Sequence, residues 1–232
     1  MKLTLEDNEA KFLDLLLEAG VLRFGDFLTK SGRKSPYFFN TGNFDSGRVL
    51  NGVAQCYSRH IVKVLGLAEN PTKKIHLYGP AYKGIPLATS ISQQLFLITG
   101  RDVPFTFNRK EVKSHGEGGR FIGRKLESQD RVIVVEDVIT GGTSIRESLE
   151  LLKPLGVVIE AVVVGVDREE RGLGTVSASQ ELSKDFGIPV YSLLKLTDIV
   201  QVLSNEERLG RRWIDDETAN RIQLYRQSYC SP

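Results

Sequence analysis

Cysteine is nearly absent from this 232-residue chain, whose two thiols are Cys56 and Cys230. Two cysteines so far apart suggest neither a disulfide framework nor a cysteine-based zinc site, and His60, His76 and His115 show no metal-ligand spacing with them. An excess of one charge is missing too. The formal net charge of +2, from 31 basic and 29 acidic residues, gives no electrostatic case for nucleic acid, whose binders usually carry a marked basic excess. No apolar run approaches the ~20 residues that a membrane-spanning helix requires. The N-terminus, Met-Lys-Leu-Thr-Leu-Glu-Asp, is soon acidic and lacks a signal-peptide core, so the expected location is cytoplasmic. No Gly-Lys dipeptide and no Gly-x-Gly-x-x-Gly run occur, which argues against a P-loop NTPase and a dinucleotide-dependent dehydrogenase. No linker, repeat or low-complexity tract divides the chain. With 41% hydrophobic and 26% charged residues, one domain with a well-buried core is expected.

What the chain does have is concentrated between residues 132 and 144. Val132, Ile133, Val134 and Val135 form a β-branched run, as expected of a central strand covered on both faces. Glu136 and Asp137 follow at or just past its end, which in open α/β sheets is the ligand-binding edge. Ile145, Leu149 and Leu152 then recur at helical spacing, and Ser144 with Glu147 fits a capping box, so a helix should begin close to Ser144. A phosphate monoester there would meet the N–H groups of Gly141 to Ser144 and the hydroxyls of Thr140, Thr143 and Ser144. The helix dipole contributes only about 0.3–1 kcal/mol, up to ~2 when partly buried, so converging hydrogen bonds must supply most of the affinity. Glycine at 141 and 142 allows close approach and positive φ. The acidic pair suits the vicinal hydroxyls of a sugar. The plainer alternative is an ordinary glycine turn beside a solvated acidic pair.

Alternating apolar strands (75–78, 132–135, 157–166) and helical patterns (85–98, 145–153) predict a parallel sheet with helices on both faces. A leucine-rich N-terminal helix should stop near Gly20. The tail, including residues 199–203 and 217–226, looks mostly helical and shows no chemistry. Lys83, in the turn Gly79-Pro-Ala-Tyr-Lys-Gly84, is placed to meet a diphosphate or is a plain surface lysine. Residues 109 to 125 mix six basic side chains with glycines, so the central part should be mobile, and taken alone they read as a solvated hairpin tip or a nucleic-acid patch. Phe38 and Phe39 read as strand core or as an aromatic wall. Arg168, in Asp167-Arg-Glu-Glu-Arg-Gly172, is an exposed member of a charge cluster or a planar fork for a carboxylate.

The 132–144 stretch resembles the ribose-phosphate signature of type I phosphoribosyltransferases, which use 5-phosphoribosyl 1-diphosphate (PRPP). Together with Ser31-Gly-Arg-Lys-Ser-Pro-Tyr-Phe-Phe-Asn40, Gly79-Pro-Ala-Tyr-Lys-Gly-Ile-Pro86 and Asn108-Arg-Lys-Glu-Val-Lys-Ser-His-Gly-Glu-Gly-Gly119, it resembles orotate phosphoribosyltransferases over about residues 20 to 170. The resemblance implies an α/β fold with a central, mostly parallel sheet flanked by helices and a small N-terminal hood. Its expected parts are hood elements over about residues 1–70, a PRPP-binding core over about 71–170 and a helical tail over about 195–232. It implies conversion of orotate and PRPP to orotidine 5′-monophosphate and diphosphate, with Mg²⁺ carried by PRPP and not by side chains. PRPP would be bound by Lys30, Tyr82, Lys83, Arg109, Lys110, Lys113, His115, Glu136, Asp137, Val138, Ile139, Thr140, Gly141, Gly142, Thr143 and Ser144. Orotate would be bound by Phe38, Phe39, Thr140 and Arg168, with Lys113, His115 and Asp137 as catalytic residues. The family's lid closes over the neighbouring subunit's site, which implies a homodimer, and its diphosphate loop often contains a non-proline cis peptide. Many members carry two aspartates where this chain has Glu136-Asp137, and alanine is common at the places of Gly141 and Ser144. Two competing readings are a PRPP-sensing regulator that binds nucleic acid through residues 109–125, and a purine phosphoribosyltransferase. The latter is disfavoured by Arg168, since a purine has no carboxylate to grip.

Overall fold

The β-branched run beginning at Val132 lies in the middle of a six-stranded sheet. The computed structural model describes residues 5–29, 32–113 and 119–231. Along the chain these form α1 (Asp7–Glu18), β1 (Leu22–Leu28), β2 (Lys34–Phe39), α2 (Gly47–Val64), β3 (His76–Gly79), α3 (Gly84–Thr99), β4 (Phe105–Lys113) and β5 (Gly119–Gly123). There follow β6 (Arg131–Ile139), α4 (Thr143–Leu152), β7 (Val158–Asp167), α5 (Ala178–Phe186), β8 (Val190–Lys195), α6 (Leu196–Asn205) and α7 (Asp216–Tyr229). The large sheet has the order β5-β4-β3-β6-β7-β8, parallel throughout except for the antiparallel β4–β5 edge pair. This is the mostly parallel α/β architecture expected from the sequence.

Side-chain alternation along β6 sorts the core into two layers. Val132 and Val134 pack with Ile145, Leu149 and Leu152 of α4 and Leu182 of α5. Ile133 and Val135 join the larger layer built by α1, α2, α3, α6 and α7. In α1 the run Phe12, Leu13, Leu15, Leu16 and Leu17 is buried, which explains its leucine richness, and the chain turns at Gly20 with φ +61°. Among the described residues no helix is long and apolar enough to cross a membrane.

Several expectations shift in detail. β6 does not stop at Val135 but continues to Ile139, because β7 pairs with it as far as Ile139↔Asp167. The acidic pair is therefore inside the strand. α4 starts at Thr143, and its N-cap is Gly142 with φ +75°. The Ser144–Glu147 capping box does not form, since the Ser144 hydroxyl bonds elsewhere. β1 and β2 form a separate antiparallel hairpin, the hood, which the tail braces: the Tyr225 ring of α7 meets the Tyr37 ring of β2 at 5.4 Å, edge to face.

Beneath the acidic pair, the Tyr57 hydroxyl of α2 donates to the Glu136 carbonyl at 2.7 Å. Space for it exists because residue 165 of β7 is glycine. A Cβ there would stand 2.6 Å from the Tyr57 hydroxyl and 2.8 Å from the Asp137 carbonyl oxygen. Gly165→Ala is expected to destabilise the fold by about 1–3 kcal/mol through overpacking. Urea denaturation measures this, and an unchanged midpoint would show that the neighbours have room to move.

Candidate active site

Because β-strand side chains alternate, Glu136 and Asp137 face opposite sides of the sheet. Glu136 turns toward α4, where its carboxylate accepts from the Ser144 hydroxyl at 2.8 Å and from the Asp137 N–H at 3.3 Å. Asp137 turns toward the larger helical layer. Its carboxylate accepts from the Val138 N–H at 2.7 Å and from the Thr41 hydroxyl, and Lys83 Nζ lies 3.3 Å away. Lys83 also donates to the Thr41 hydroxyl at 2.7 Å. Thr41 therefore ties the segment after the hood to the acid and to the lysine. Burial, followed by the charge of Asp137, pushes the Glu136 carboxyl up to about 7, against the opposing effect of the Ser144 hydroxyl.

The turn after β6 and the first residues of α4 form one wall of a cavity of about 620 Å³, lined by residues 136–145, residues 80–83 and Lys110. Gly142 has a positive φ, and a Cβ there would come within 3.2 Å of Leu182, so this position needs glycine. Gly141 has neither constraint. The opposite wall, residues 80–83, contains the cis Ala81–Tyr82 bond. It is anchored by Asn108, whose side-chain oxygen accepts from the Ala81 N–H at 2.9 Å and the Tyr78 hydroxyl at 3.0 Å. Lys110 Nζ sits 5.0 Å from the centre of the exposed Tyr82 ring, so a cation from the β4–β5 hairpin reaches the same space.

Tyr82, Lys83, Lys110 and the whole run Glu136 to Ser144 therefore share one cavity. Arg109 of β4, Phe38, Phe39 and Arg168 do not line it. The side chain of Lys113, at the end of β4, lies outside what the structure describes. Lys30 and His115 lie outside the described residues. Phe38 is 38% exposed and stacks on Phe27 at 5.4 Å, whereas Phe39 is buried against Tyr37. Arg168 is not exposed: its guanidinium lies 4.9 Å from the Tyr37 ring centre and 6.0 Å from that of Phe39, with Nη2 2.5 Å from Glu170. Arg168 and Phe39 thus form a second cluster between the hood and the end of β7, joined to the cavity through the Arg168 N–H, which donates to the Ile139 carbonyl at 3.2 Å.

Sequence reasoning missed Thr41, Tyr57 and Glu170, and it missed the role of Asn108 within the 108–119 segment. No periodicity marks Thr41 or Tyr57. For Glu170, an acid two residues after an arginine expected to hold an anion is the available signal.

The raised Glu136 carboxyl makes the folded protein hold that proton more tightly than the unfolded chain. Its contribution to stability is present below the ordinary carboxyl range and is lost as pH rises through about 7. Glu136→Gln removes this titration, so the stability of the parent relative to the variant should fall between about pH 5 and pH 8. Thermal unfolding across that range checks it, and a constant difference would contradict the shift.

A phosphoribosyl transferase domain matches residues 59–183. The chain is 42% identical to an orotate phosphoribosyltransferase of Clostridium acetobutylicum, covering 97% of this chain and 99% of that protein. It is 43% identical to one of Photobacterium profundum, covering 95% and 97%. The solved structure of the Francisella tularensis orotate phosphoribosyltransferase superposes with a TM-score of 0.78 at 36% identity, covering 95% of this chain and 99% of that one. With these relatives aligned over nearly the full length, the chain belongs to the orotate phosphoribosyltransferase family of glycosyltransferases.

Proposed function

We propose that the protein transfers the 5-phosphoribosyl group of PRPP to orotate, giving orotidine 5′-monophosphate and diphosphate in pyrimidine (UMP) synthesis. The single observation that carries this reading is the cavity in which the start of α4, the acidic pair and the 80–83 loop face one another. The 5′-phosphate takes the N–H groups and hydroxyls of residues 140–144. Asp137 and Glu136 accept from the ribose hydroxyls, from opposite faces of the strand, so neither carboxylate is forced against the phosphate. Tyr82, Lys83 and Lys110 face the diphosphate, and Arg168 grips the orotate carboxylate beside Phe39. The roles of Lys30, Arg109, Lys113, His115 and Phe38 rest on the family resemblance.

In the reaction, the C1–oxygen bond of the ribose breaks with its electron pair leaving on diphosphate, and a bond forms from C1 to a ring nitrogen of orotate, whose N–H proton is released to solvent or to the diphosphate. Negative charge grows on the leaving group, so preorganised cations lower the barrier. Mg²⁺ fits this site: a cation beside Glu136 would offset the repulsion that, with burial, raises its carboxyl. PRPP oxygens would hold the ion, with Glu136 and Asp137 nearby, and the chemistry it would supply is positive charge for the departing diphosphate.

The homodimer implied by the family is supported by Phe96, Leu97 and Ile98, which are exposed together at the end of α3 and offer an apolar surface to a second copy. The reading involves no nucleic-acid or membrane partner and places the enzyme in the cytoplasm.

Incubation with PRPP, Mg²⁺ and orotate should yield orotidine 5′-monophosphate, while adenine in place of orotate should yield nothing. Turnover of the purine alone would refute the assignment. Lys113→Ala is expected to lower kcat about 10²–10³-fold, near the ~2.7–4 kcal/mol of one preorganised transition-state donor, and an unchanged kcat would remove Lys113 from the mechanism. Mixing inactive Lys113→Ala with inactive Asp137→Asn protein should restore part of the activity, since one hybrid site would contain both native residues. No recovery after subunit exchange would argue against shared sites.

A further inference from the structure

Where the hood covers the end of β7, the Tyr37 hydroxyl and Nε and Nη2 of Arg168 are buried without a well-aligned hydrogen bond, the guanidinium and the hydroxyl lying close enough to interact with each other. Leaving such groups unsatisfied is costly, and Nε with Nη2 presents two donors in the plane of one guanidinium, matched to a planar carboxylate. The nearest acid does not satisfy them. Glu170 Oε1 approaches Nη2 to 2.5 Å, an ion pair without hydrogen-bond alignment.

Glu170 is itself 2% exposed and held from two further sides. Oε1 accepts from the Tyr225 hydroxyl of α7 at 3.0 Å, and Oε2 lies 3.4 Å from Arg33 Nη1 at the start of the hood strand β2. Arg33 in turn lies over the ring of Tyr229, also on α7, 4.8 Å from its centre. The counter-charge of Arg168 is therefore held in place by the C-terminal helix and the hood together.

We propose that Glu170 is a positioning residue for the base site. It offsets the burial of the Arg168 guanidinium and holds it against Tyr37, while its off-line approach leaves Nε and Nη2 without an aligned acceptor, a place that the carboxylate of the substrate takes on entering. Tyr225 holds Glu170 for this purpose, which gives α7 a part in base recognition. A guanidinium held beforehand loses less freedom when it binds, so the arrangement acts on affinity for the carboxylated base and not on PRPP. The inference rests on the reading that Arg168 meets the orotate carboxylate.

Steady-state kinetics on the full-length protein test it with three variants. Glu170→Gln keeps the shape and removes the charge, and should raise the KM for orotate about tenfold while the KM for PRPP stays within about twofold. Tyr225→Phe, which deletes one hydroxyl and decides the matter if Glu170→Gln does not fold, should raise the orotate KM about threefold with the PRPP KM again unmoved. A purely structural role would lower thermal stability without separating the two KM values. An unchanged orotate KM in Glu170→Gln and Tyr225→Phe, with a raised one in Arg168→Lys, would overturn the positioning role and leave the base site standing. An unchanged orotate KM in Arg168→Lys would overturn the base-site reading and this inference with it.

Discussion

The extended backbone at Glu136 and Asp137 is the constraint on which the rest of the site depends. β7 pairs with it on one side up to Ile139↔Asp167, and the Tyr57 hydroxyl supports it from below through the gap left by Gly165. Held this way, consecutive carboxylates must diverge to opposite faces of the sheet. That divergence separates two adjacent negative charges in a partly desolvated place, although burial and the remaining repulsion still push the Glu136 carboxyl upward.

Each carboxylate then organises a different part of the molecule. Glu136 takes the Ser144 hydroxyl, so the first turn of α4 is tied to the strand and the N–H groups at the helix start are aimed across the cavity. Asp137 takes Thr41 and lies beside Lys83, which joins the segment after the hood to the 80–83 loop. A ligand spanning the cavity would touch the strand, the helix start and the loop together. The second cluster follows the same logic with the signs reversed: a buried cation, Arg168, is held by a buried acid, Glu170, that α7 secures. A buried pair of this kind is weak evidence for stability by itself. Its position beside Phe39, with donors left unmatched, is what suggests a role in binding.

Much of this arrangement could be read from the residues in order. The β-branched run, the acidic pair and the glycine turn before an amphipathic helix are local patterns, and they led to β6, the cavity wall and α4 within a few residues. Turn chemistry and charge left Lys83 and Lys110 open between plain surface cations and diphosphate contacts; the family resemblance singled them out, and both line the cavity. The boundary of β6 was not recognisable, because its last four residues owe their extended form to pairing with β7. Ser144 was misread as a helix cap because its competing partner, the Glu136 carboxylate, becomes available only once strand and helix are packed together.

The sequence alone determined the class of the fold, the edge of the sheet where the cavity lies and the glycine turn that lines it, since each depends on neighbouring residues and on periodicity along one element. Tertiary structure decided which side chains share a space. Thr41 meets Asp137, Tyr57 reaches the Glu136 carbonyl, and Arg168 turns inward to Glu170 and Tyr37 instead of lying in solvent. These contacts join residues that are far apart in the chain, or turn a charged side chain away from water, and only the packing of hood, sheet and C-terminal helix sets the distances and burial that make them favourable.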